Sequence, residues 1–251
     1  MIDLRGRRAL VTGGSRGIGA AIARLLADAG ASVGIGYRAR ESEAQQVVSG
    51  IEARGGRAFA MAGDFSSAEV NQAFVDRALD LWEGVDIFVG NAGIWPDRAV
   101  SVENLDATRW HAVMGVNLHG MFHGAAAAAR ALPRGGRMVF VSSTAGQRGE
   151  AGHADYAASK GAMIAFVKSL AVELGPRDIT VNAVAPGWVE TEAVARPFAG
   201  DGRARIETAI PLGRVATAED IAGPVLFLAS PLARHITGEI LNVNGGSVLC
   251  G

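Results

Sequence analysis

The chain has 251 residues, of which 24 are lysine or arginine and 25 are aspartate or glutamate, so its formal net charge is -1. A chain this close to neutral lacks the broad positive surface that binds nucleic acid or an anionic membrane, and we expect neither partner. Hydrophobic residues make up 49% of the sequence and charged residues 20%, which excludes a disordered chain. At this length we expect a single domain over residues 1–251.

The cysteine content and the amino-terminal residues indicate a cellular compartment. Cys250 is the only cysteine, so no intrachain disulfide can form, which favours a reducing environment. The first residues lead into segment 7–12 without the apolar region of a signal peptide, and no stretch reaches the 18 or so apolar residues that span a bilayer. These features predict a cytoplasmic protein.

Short segments rich in β-branched residues alternate with longer segments of helical period. In residues 17–29, Ile18, Ile22 and Leu26 recur on one helical face, and residues 156–174 show the same period. This alternation predicts repeated βαβ units, hence an α/β fold with a doubly wound parallel sheet and helices on both faces. The predicted strands are residues 7–12, 32–37, 85–90, 138–143, 179–184 and 239–243.

A glycine-rich loop at residues 12–19 separates the first predicted strand from the first predicted helix. Glycines let the backbone approach a pyrophosphate closely, and the N–H groups at a helix amino terminus favour its negative charge. A structural turn without a ligand remains the alternative. The loop residues predicted to contact a dinucleotide are Gly13, Ser15, Arg16, Gly17, Ile18 and Gly19.

The end of the second predicted strand indicates which dinucleotide binds. NAD sites usually place an acidic residue there for the ribose hydroxyl, whereas NADP sites use arginine for the 2′-phosphate. Here the strand ends in Tyr37 and Arg38, and the first acid is Glu41. Arg38 and Arg16 together could bind a dianionic phosphate, which favours NADPH, although either arginine could instead be a solvated surface charge.

Residues 191–208 interrupt the regular alternation. Pro197, Gly200 and Gly202 make this segment irregular, and it is long for a connection within a compact domain. We expect a lid over the substrate pocket, with an ordinary surface loop as the alternative.

Seven motifs, in register, resemble those of the short-chain dehydrogenase/reductase family, and the resemblance covers nearly the whole chain. One departure is Gly90, which stands where the family has the first asparagine of its NNAG motif, and it puts in doubt a hydrogen bond at the end of the sheet. The matches are residues 12–19 for TGxxxGxG, Asp64 for the acidic adenine contact, residues 91–93 for NNAG, Asn117, Ser143, Tyr156 with Lys160 for YxxxK, and residues 186–191 for PGxxxT.

The resemblance implies a Rossmann-type domain with a mostly parallel sheet of seven strands and an NADPH site. It also implies an active site formed by Asn117, Ser143, Tyr156 and Lys160, and a homotetramer. The further cofactor contacts that it implies are Tyr37, Arg38, Asp64, Phe65, Asn91, Ala92, Gly93, Tyr156, Lys160, Pro186, Gly187, Val189 and Thr191.

The chemistry expected of this set is reduction of a ketone to a secondary alcohol. Tyr156 would donate the proton, and Lys160, four residues later on the same helical face, would lower the tyrosine pKa from its usual value of about 10. Ser143 would stabilise charge on the substrate oxygen, although it could merely cap a strand. The resemblance implies that Asn117 holds a water against Lys160; the alternative is a kink within a helix.

The residues around these motifs say less about the substrate. Trp95, His153, Trp188 and Phe198 flank the motifs and would line the substrate pocket, unless they belong to the core. The carboxy-terminal segments 210–214, 228–230, 236–238 and 242–246 are most similar to the 3-oxoacyl-(acyl-carrier-protein) reductases. A general ketone, diketone or sugar reductase remains the alternative, and a non-catalytic dinucleotide sensor is an alternative of another class.

A carrier-protein substrate would require basic residues near the cleft. Arg134 and Arg177 are similar in position to residues that dock an acidic carrier, although surface ion pairs would also explain them. The five histidines show no spacing with acids that would bind a metal, and we expect no metal in the mechanism.

Overall fold

The computed structural model describes residues 2–249, except the side chain of Ala193; Cys250, on which the prediction of a reducing compartment depends, lies outside this range. Within it, seven strands form one sheet in the order β3-β2-β1-β4-β5-β6-β7, and every neighbouring pair is parallel. The strands are Arg8–Thr12 (β1), Ser32–Tyr37 (β2), Ala58–Ala62 (β3), Ile87–Gly90 (β4), Arg137–Val141 (β5), Thr180–Pro186 (β6) and Ile240–Val243 (β7).

The predicted doubly wound α/β fold is confirmed, and β3 is the strand that the pattern missed. Its sequence, Ala-Phe-Ala-Met-Ala, contains no β-branched residue, so it carries little intrinsic strand signal. Pairing with β2 along its whole length determines its conformation instead.

Helices connect the strands and cover both faces of the sheet. Among the described residues they are Gly17–Asp28 (α1), Glu41–Glu52 (α2), Ala68–Trp82 (α3), Ala107–Met114 (α4), Gly120–Ala131 (α5), Thr144–Arg148 (α6), Ala154–Leu174 (α7), Gly202–Thr208 (α8) and Ala218–Ala229 (α9). No helix of this set is long and apolar enough to cross a membrane. Nor do residues 2–249 contain a group of three or more His, Cys, Asp or Glu that could hold a metal.

Two hydrophobic cores lie on opposite faces of the sheet because strand side chains alternate. Val11 and Val139 point toward α1, α2 and α9, whereas Leu10 and Phe140 point toward α3, α5 and α7. Both faces of each central strand are therefore apolar, which is why β1, β4 and β5 appear in the sequence as nearly continuous hydrophobic runs.

The chain reverses its direction of winding between β1 and β4. In an open α/β sheet, ligands bind beyond the carboxyl ends of the strands at this point. The glycine loop follows β1, residues 91–93 follow β4, Ser143 follows β5 and Gly187 follows β6. The topology thus brings the sequence motifs to one edge of the sheet.

Candidate active site

The glycine loop leaves the amino terminus of α1 open. Arg16, the residue before the helix, forms no side-chain cap, and no acidic residue lies in the first turn. Gly17 has a φ of +52°, and a Cβ atom on Gly19 would collide with the carbonyl oxygen of Gly13. The uncapped N–H groups of α1 and this tight loop form the kind of site that binds a pyrophosphate.

Asn91 holds the glycine loop against the end of β4. Its Nδ2 donates hydrogen bonds to the carbonyl oxygens of Thr12, at 3.0 Å, and Gly13, at 3.1 Å. The Thr12 hydroxyl accepts in return from the N–H groups of Asn91 and Ala92. Asn91 therefore shapes the predicted cofactor site through the loop.

Gly90 is explained by its neighbour on β5. A Cβ atom at this position would collide with the ring of Phe140, its partner in strand register. The space that an asparagine side chain would need is filled by an aromatic ring, so the departure from NNAG belongs to core packing.

Three arginines line the part of the cavity between the glycine loop and the end of β2. The sequence predicted two of them, Arg16 and Arg38, as phosphate-binding residues. Arg38 lies 3.5 Å from Asp64, and Arg16 pairs with Glu192 of the segment beyond β6. Arg40 also lines the cavity and reaches Glu192 at 3.5 Å. The Arg-Ala-Arg spacing of residues 38–40 was the signal that would have identified it.

Asp64 and Phe65 serve the site in different ways. The Asp64 carboxylate accepts hydrogen bonds from the Ser66 N–H, at 3.0 Å, and hydroxyl, at 2.8 Å, and these bonds lower the Asp64 pKa. The Phe65 ring packs against Gly36 and edge-on to Phe74 in the core. Its ring is thus a structural element, although the residue borders the cavity.

Ser143, Tyr156 and Lys160 lie together in one cavity of about 500 Å³, which also contains the glycine loop. The predicted cofactor residues all border it, and of the predicted pocket aromatics Trp95 and Trp188 do so. Asn117, His153 and Phe198 lie behind its wall. The predicted catalytic and cofactor groups are therefore contiguous.

Lys160 is fully enclosed and points toward the end of β5. Its ammonium donates a 2.7 Å hydrogen bond to the carbonyl oxygen of Val141 and lies 5.8 Å from the centre of the Tyr156 ring. Burial lowers the pKa of Lys160 to about 8. This lysine therefore gains and loses its proton close to physiological pH.

The expectation that Lys160 lowers the Tyr156 pKa is wrong for this structure. Burial raises the pKa of Tyr156 to about 12, a hydrogen bond with Ser143 opposes this only in part, and the charge of Glu150 raises it further. Desolvation of the phenolate outweighs its stabilisation. Tyr156 is accordingly protonated at neutral pH and able to donate.

Ser143 caps a helix rather than a strand, and its role toward a substrate oxygen stays a prediction. Its hydroxyl oxygen accepts a hydrogen bond from the Ala145 N–H, at 3.1 Å, which caps α6, and it also reaches Tyr156. The neighbouring Ser142 points elsewhere, as strand alternation requires, and donates to the carbonyl oxygen of Lys160.

Asn117 lies in a π-helical segment, Gly115–His119, between α4 and α5. Its side-chain oxygen accepts from the Ile94 N–H at 2.7 Å, and its Nδ2 donates to the Ile94 carbonyl oxygen and to the Ser159 hydroxyl. The side chain is thus committed to holding the loop after β4 near α7. A water between Asn117 and Lys160 stays a prediction.

A buried ion pair that the sequence did not reveal supports the start of α7. Asp155 is fully buried and accepts from Arg109 Nε at 2.8 Å and from the Tyr156 N–H at 2.9 Å. Arg109 also donates to the carbonyl oxygen of Arg98. This network ties α4 and the loop after β4 to the residue preceding Tyr156.

The aromatic residues form a wall beside Tyr156. Trp95 meets the Tyr156 ring edge-on, with the ring centres 4.7 Å apart, and stacks on His153 at 4.0 Å. His153 Nε2 lies 3.0 Å from the carbonyl oxygen of Pro96, so it fixes the loop that carries Trp95. The Phe198 ring lies behind Trp188, with the ring centres 6.0 Å apart and the planes tilted by 49°. The four aromatics therefore form an inner pair that faces the cavity and an outer pair that supports it.

The segment after β6 completes the cavity. Val189 forms an isolated parallel bridge with Ala216, and Thr191 lies against Gly17. Beyond it, the segment predicted as a lid contains a short 3₁₀ turn, Glu192–Val194, and α8.

A family model described as enoyl-(acyl carrier protein) reductase matches residues 13–247. The 3-oxoacyl-(acyl-carrier-protein) reductase FabG of Vibrio cholerae serotype O1 is 41% identical over 247 residues, which cover 98% of each chain. The chain belongs to the short-chain dehydrogenase/reductase family.

Solved structures agree with this assignment. A short-chain dehydrogenase from Burkholderia cenocepacia in complex with NADP is 42% identical, with a TM-score of 0.92 over 97% of this chain and 98% of that one. A blue fluorescent protein from a metagenomic library in complex with NADPH is 36% identical, with a TM-score of 0.92 over 98% and 100% of the two chains. The predicted family and enzyme class are confirmed.

In this short-chain dehydrogenase/reductase, the predicted carrier contacts lie far from the cavity. Arg134 precedes β5, and Arg177 precedes β6, which places both at the amino edge of the sheet. Arg177 donates to the carbonyl oxygens of Ala129 and Leu132, and Arg134 to that of Pro176. Within one subunit these arginines connect loops on the side opposite the active site.

Proposed function

We propose that this enzyme reduces a ketone to a secondary alcohol with NADPH, and that its substrate is a 3-oxoacyl thioester or a close analogue. One observation carries the proposal: Ser143, Tyr156 and Lys160 share a single cavity with an uncapped helix amino terminus. The first group is suited to a carbonyl oxygen and the second to a pyrophosphate.

The residues present fit NADPH. The open amino terminus of α1 favours the pyrophosphate, and Arg16, Arg38 and Arg40 supply three guanidinium groups for the 2′-phosphate. When bound, NADPH supplies the hydride that reduces the carbonyl carbon. The pairing of these arginines with Asp64 and Glu192 involves exposed groups, so exchanging these partners for a phosphate costs little.

Three side chains, Ser143, Tyr156 and Lys160, stabilise the substrate oxygen and supply its proton. Ser143 donates a hydrogen bond to the substrate oxygen and stabilises the charge that develops there. Tyr156, protonated because burial raises its pKa to about 12, transfers its proton to the same oxygen. Lys160, whose pKa lies at about 8, is the nearby reservoir from which that proton is replaced.

The thioester assignment is tested by NADPH oxidation with a panel of substrates. We expect acetoacetyl-coenzyme A and longer 3-oxoacyl thioesters to be turned over faster than simple ketones, diketones or sugars. The Vibrio cholerae relative named as a 3-oxoacyl-(acyl-carrier-protein) reductase supports this choice. Turnover of simple ketones alone would contradict the thioester assignment and leave ketone reduction intact.

A carrier protein as partner, bound through Arg134 and Arg177, is part of the same proposal. Because both arginines lie at the amino edge of the sheet, a carrier bound to them would have to deliver its substrate to the active site of another subunit. Inhibition by an acidic carrier protein that is lost in the Arg134→Glu, Arg177→Glu variant would support this. The same position favours a free ketone as the second candidate substrate.

Assembly into a homotetramer is supported by an uncovered apolar face. α7 carries apolar side chains on more than one face, which is typical of helices packed between two partners. Yet Val172 on α7 is 82% exposed, and Phe122 on α5 is 49% exposed. Light scattering should show an oligomer for the native enzyme and a smaller species for Phe122→Glu, Val172→Glu.

A further inference from the structure

A second cavity adjoins the active-site cavity on its substrate side. It has a volume of about 340 Å³ and lies between α8, the segment before it and Ser247 beyond β7. Trp188 and Arg148 line both cavities. A substrate whose carbonyl lies at Tyr156 can therefore extend past Trp188 into this space, which is large enough for a small organic group.

The wall of the second cavity combines an apolar surface with two positive charges. The guanidinium groups of Arg148 and Arg205 are its charged members, and among the described residues no aspartate or glutamate lines it. The apolar part of the wall consists of Trp188, Pro197, Ile206, Ala209 and Ile210. Such a wall suits an alkyl chain that ends in a negative group.

The acidic partners of these arginines lie outside the cavity. Arg148 pairs with Glu150 at 3.3 Å, and Arg205 pairs with Asp201 at 3.2 Å, with both side chains of the latter pair about three-quarters exposed. An ion pair as exposed as Arg205–Asp201 is weak, so Arg205 can exchange its partner for a ligand at little cost. A carboxylate between the two guanidinium groups would accept charge-assisted hydrogen bonds from both, in place of one acidic partner for each.

We infer that the ketones this enzyme reduces include oxo acids, whose ketone lies at Tyr156, whose alkyl chain occupies the second cavity and whose carboxylate is bound by Arg148 and Arg205. This inference rests on the proposed ketone reduction and specifies its substrate class. Trp188, at the boundary of the two cavities, separates the reacting carbonyl from the charged end. The separation makes the length of the alkyl chain a determinant of specificity.

The test compares methyl ketones that carry a terminal carboxylate, from 4-oxopentanoate to 8-oxononanoate, with their uncharged methyl esters. NADPH oxidation gives kcat/KM for each member. We expect one chain length at which the acid exceeds its ester about tenfold, which corresponds to a single charge-assisted hydrogen bond. Arg148→Gln and Arg205→Gln should each lower this acid-to-ester ratio severalfold.

Arg196→Gln provides the matched control. Arg196 lies in the same segment, is exposed and pairs with Asp97, but it lines neither cavity. The variant removes one positive charge nearby and should leave the ratio unchanged, and NADPH affinity measured for all three variants shows that they are folded.

An acid-to-ester ratio of kcat/KM of one or less at every chain length would overturn the inference. An equal decrease of this ratio in Arg196→Gln would also overturn it, because it would indicate a general effect of positive charge. If the esters are reduced without preference for the acids, ketone reduction stands and the oxo-acid assignment fails. If neither series is reduced while 3-oxoacyl thioesters are, the oxo-acid inference fails and ketone reduction stands; if the thioesters are not reduced either, the proposed function itself fails.

Discussion

The two ends of the active-site cavity are built differently. At the cofactor end, backbone geometry and hydrogen bonds between protein groups define the site, with Asn91 joining the glycine loop to β4. At the substrate end, Trp95 and Trp188 form the wall, and the segment above them is held by exposed ion pairs such as Arg203–Glu190 and Arg196–Asp97. Exposed pairs hold a segment only weakly.

This difference indicates which end can change without loss of the enzyme. A Cβ atom added at Gly14 or Gly19 would collide with neighbouring atoms, so the glycine loop tolerates little substitution there, whereas aromatic side chains on loops can be replaced one at a time. We therefore expect the cofactor end and the Tyr156 region to determine the reaction type, and the other end to determine substrate choice. The following predictions test this division.

Tyr156→Phe should have the largest effect, because it removes the proton donor between the two ends. We expect kcat to fall about a thousandfold, in the range known for general acids, with the affinity for NADPH unchanged. Steady-state kinetics and cofactor titration measure the two quantities. Undiminished turnover with intact NADPH binding would refute the role of Tyr156.

Arg38→Asp should weaken the binding of NADPH selectively. Replacing a guanidinium by a carboxylate removes a charge-assisted bond to the 2′-phosphate and adds repulsion, so the KM for NADPH should rise about a hundredfold while that for NADH changes little. Arg24→Asp, with the same charge change on an exposed face of α1, should leave both values unaltered. Equal effects of the two substitutions would mean that Arg38 acts only as a surface charge.

The pH dependence of ketone reduction should report Lys160. Its pKa of about 8 means that the ammonium form predominates below pH 8 and is lost above it, whereas Tyr156 stays protonated to about pH 12. We therefore expect kcat/KM to decrease about tenfold for each unit above about pH 8. The chain has only two lysines, and the other, Lys168, is exposed.

Replacing each lysine by arginine tests whether the decline in kcat/KM above pH 8 comes from Lys160. Lys160→Arg keeps a charged group to higher pH, so its lower activity should not decline between pH 8 and 10. Lys168→Arg should retain the native profile. A native profile in Lys160→Arg would assign the titration to another group.

Trp95→Leu should have the smallest effect, limited to the substrate end. Trp95 presents a flat ring beside Tyr156 that favours a flat substrate. Without it, kcat/KM for acetophenone relative to kcat/KM for cyclohexyl methyl ketone should fall about threefold, which is the effect expected from the loss of one aromatic contact. Trp110→Leu on α4 is the control, since Trp110 lies outside the cavity. An unchanged ratio in Trp95→Leu would show that the wall does not select for flat groups.

Fold class, family and glycine loop could be recognised in the amino-acid sequence alone, and the same patterns indicated the candidate catalytic residues. These features depend on short-range patterns: alternating strand and helix periods, glycines at positions that require them, and a four-residue spacing on one helical face. The same logic missed β3, because a strand without β-branched residues is recognisable only by its pairing with β2.

Properties that depend on burial and on contacts between distant residues became visible only in the folded protein. It reversed the expected shift of the Tyr156 pKa, because the desolvation of an enclosed phenolate outweighs the opposing hydrogen bond with Ser143. It placed Arg134 and Arg177 at the amino edge of the sheet, and it joined Arg109 to Asp155 across 46 residues. Short sequence patterns do not show which distant residues meet. They also do not show the pKa of a buried group, because that pKa depends on all the groups packed around it.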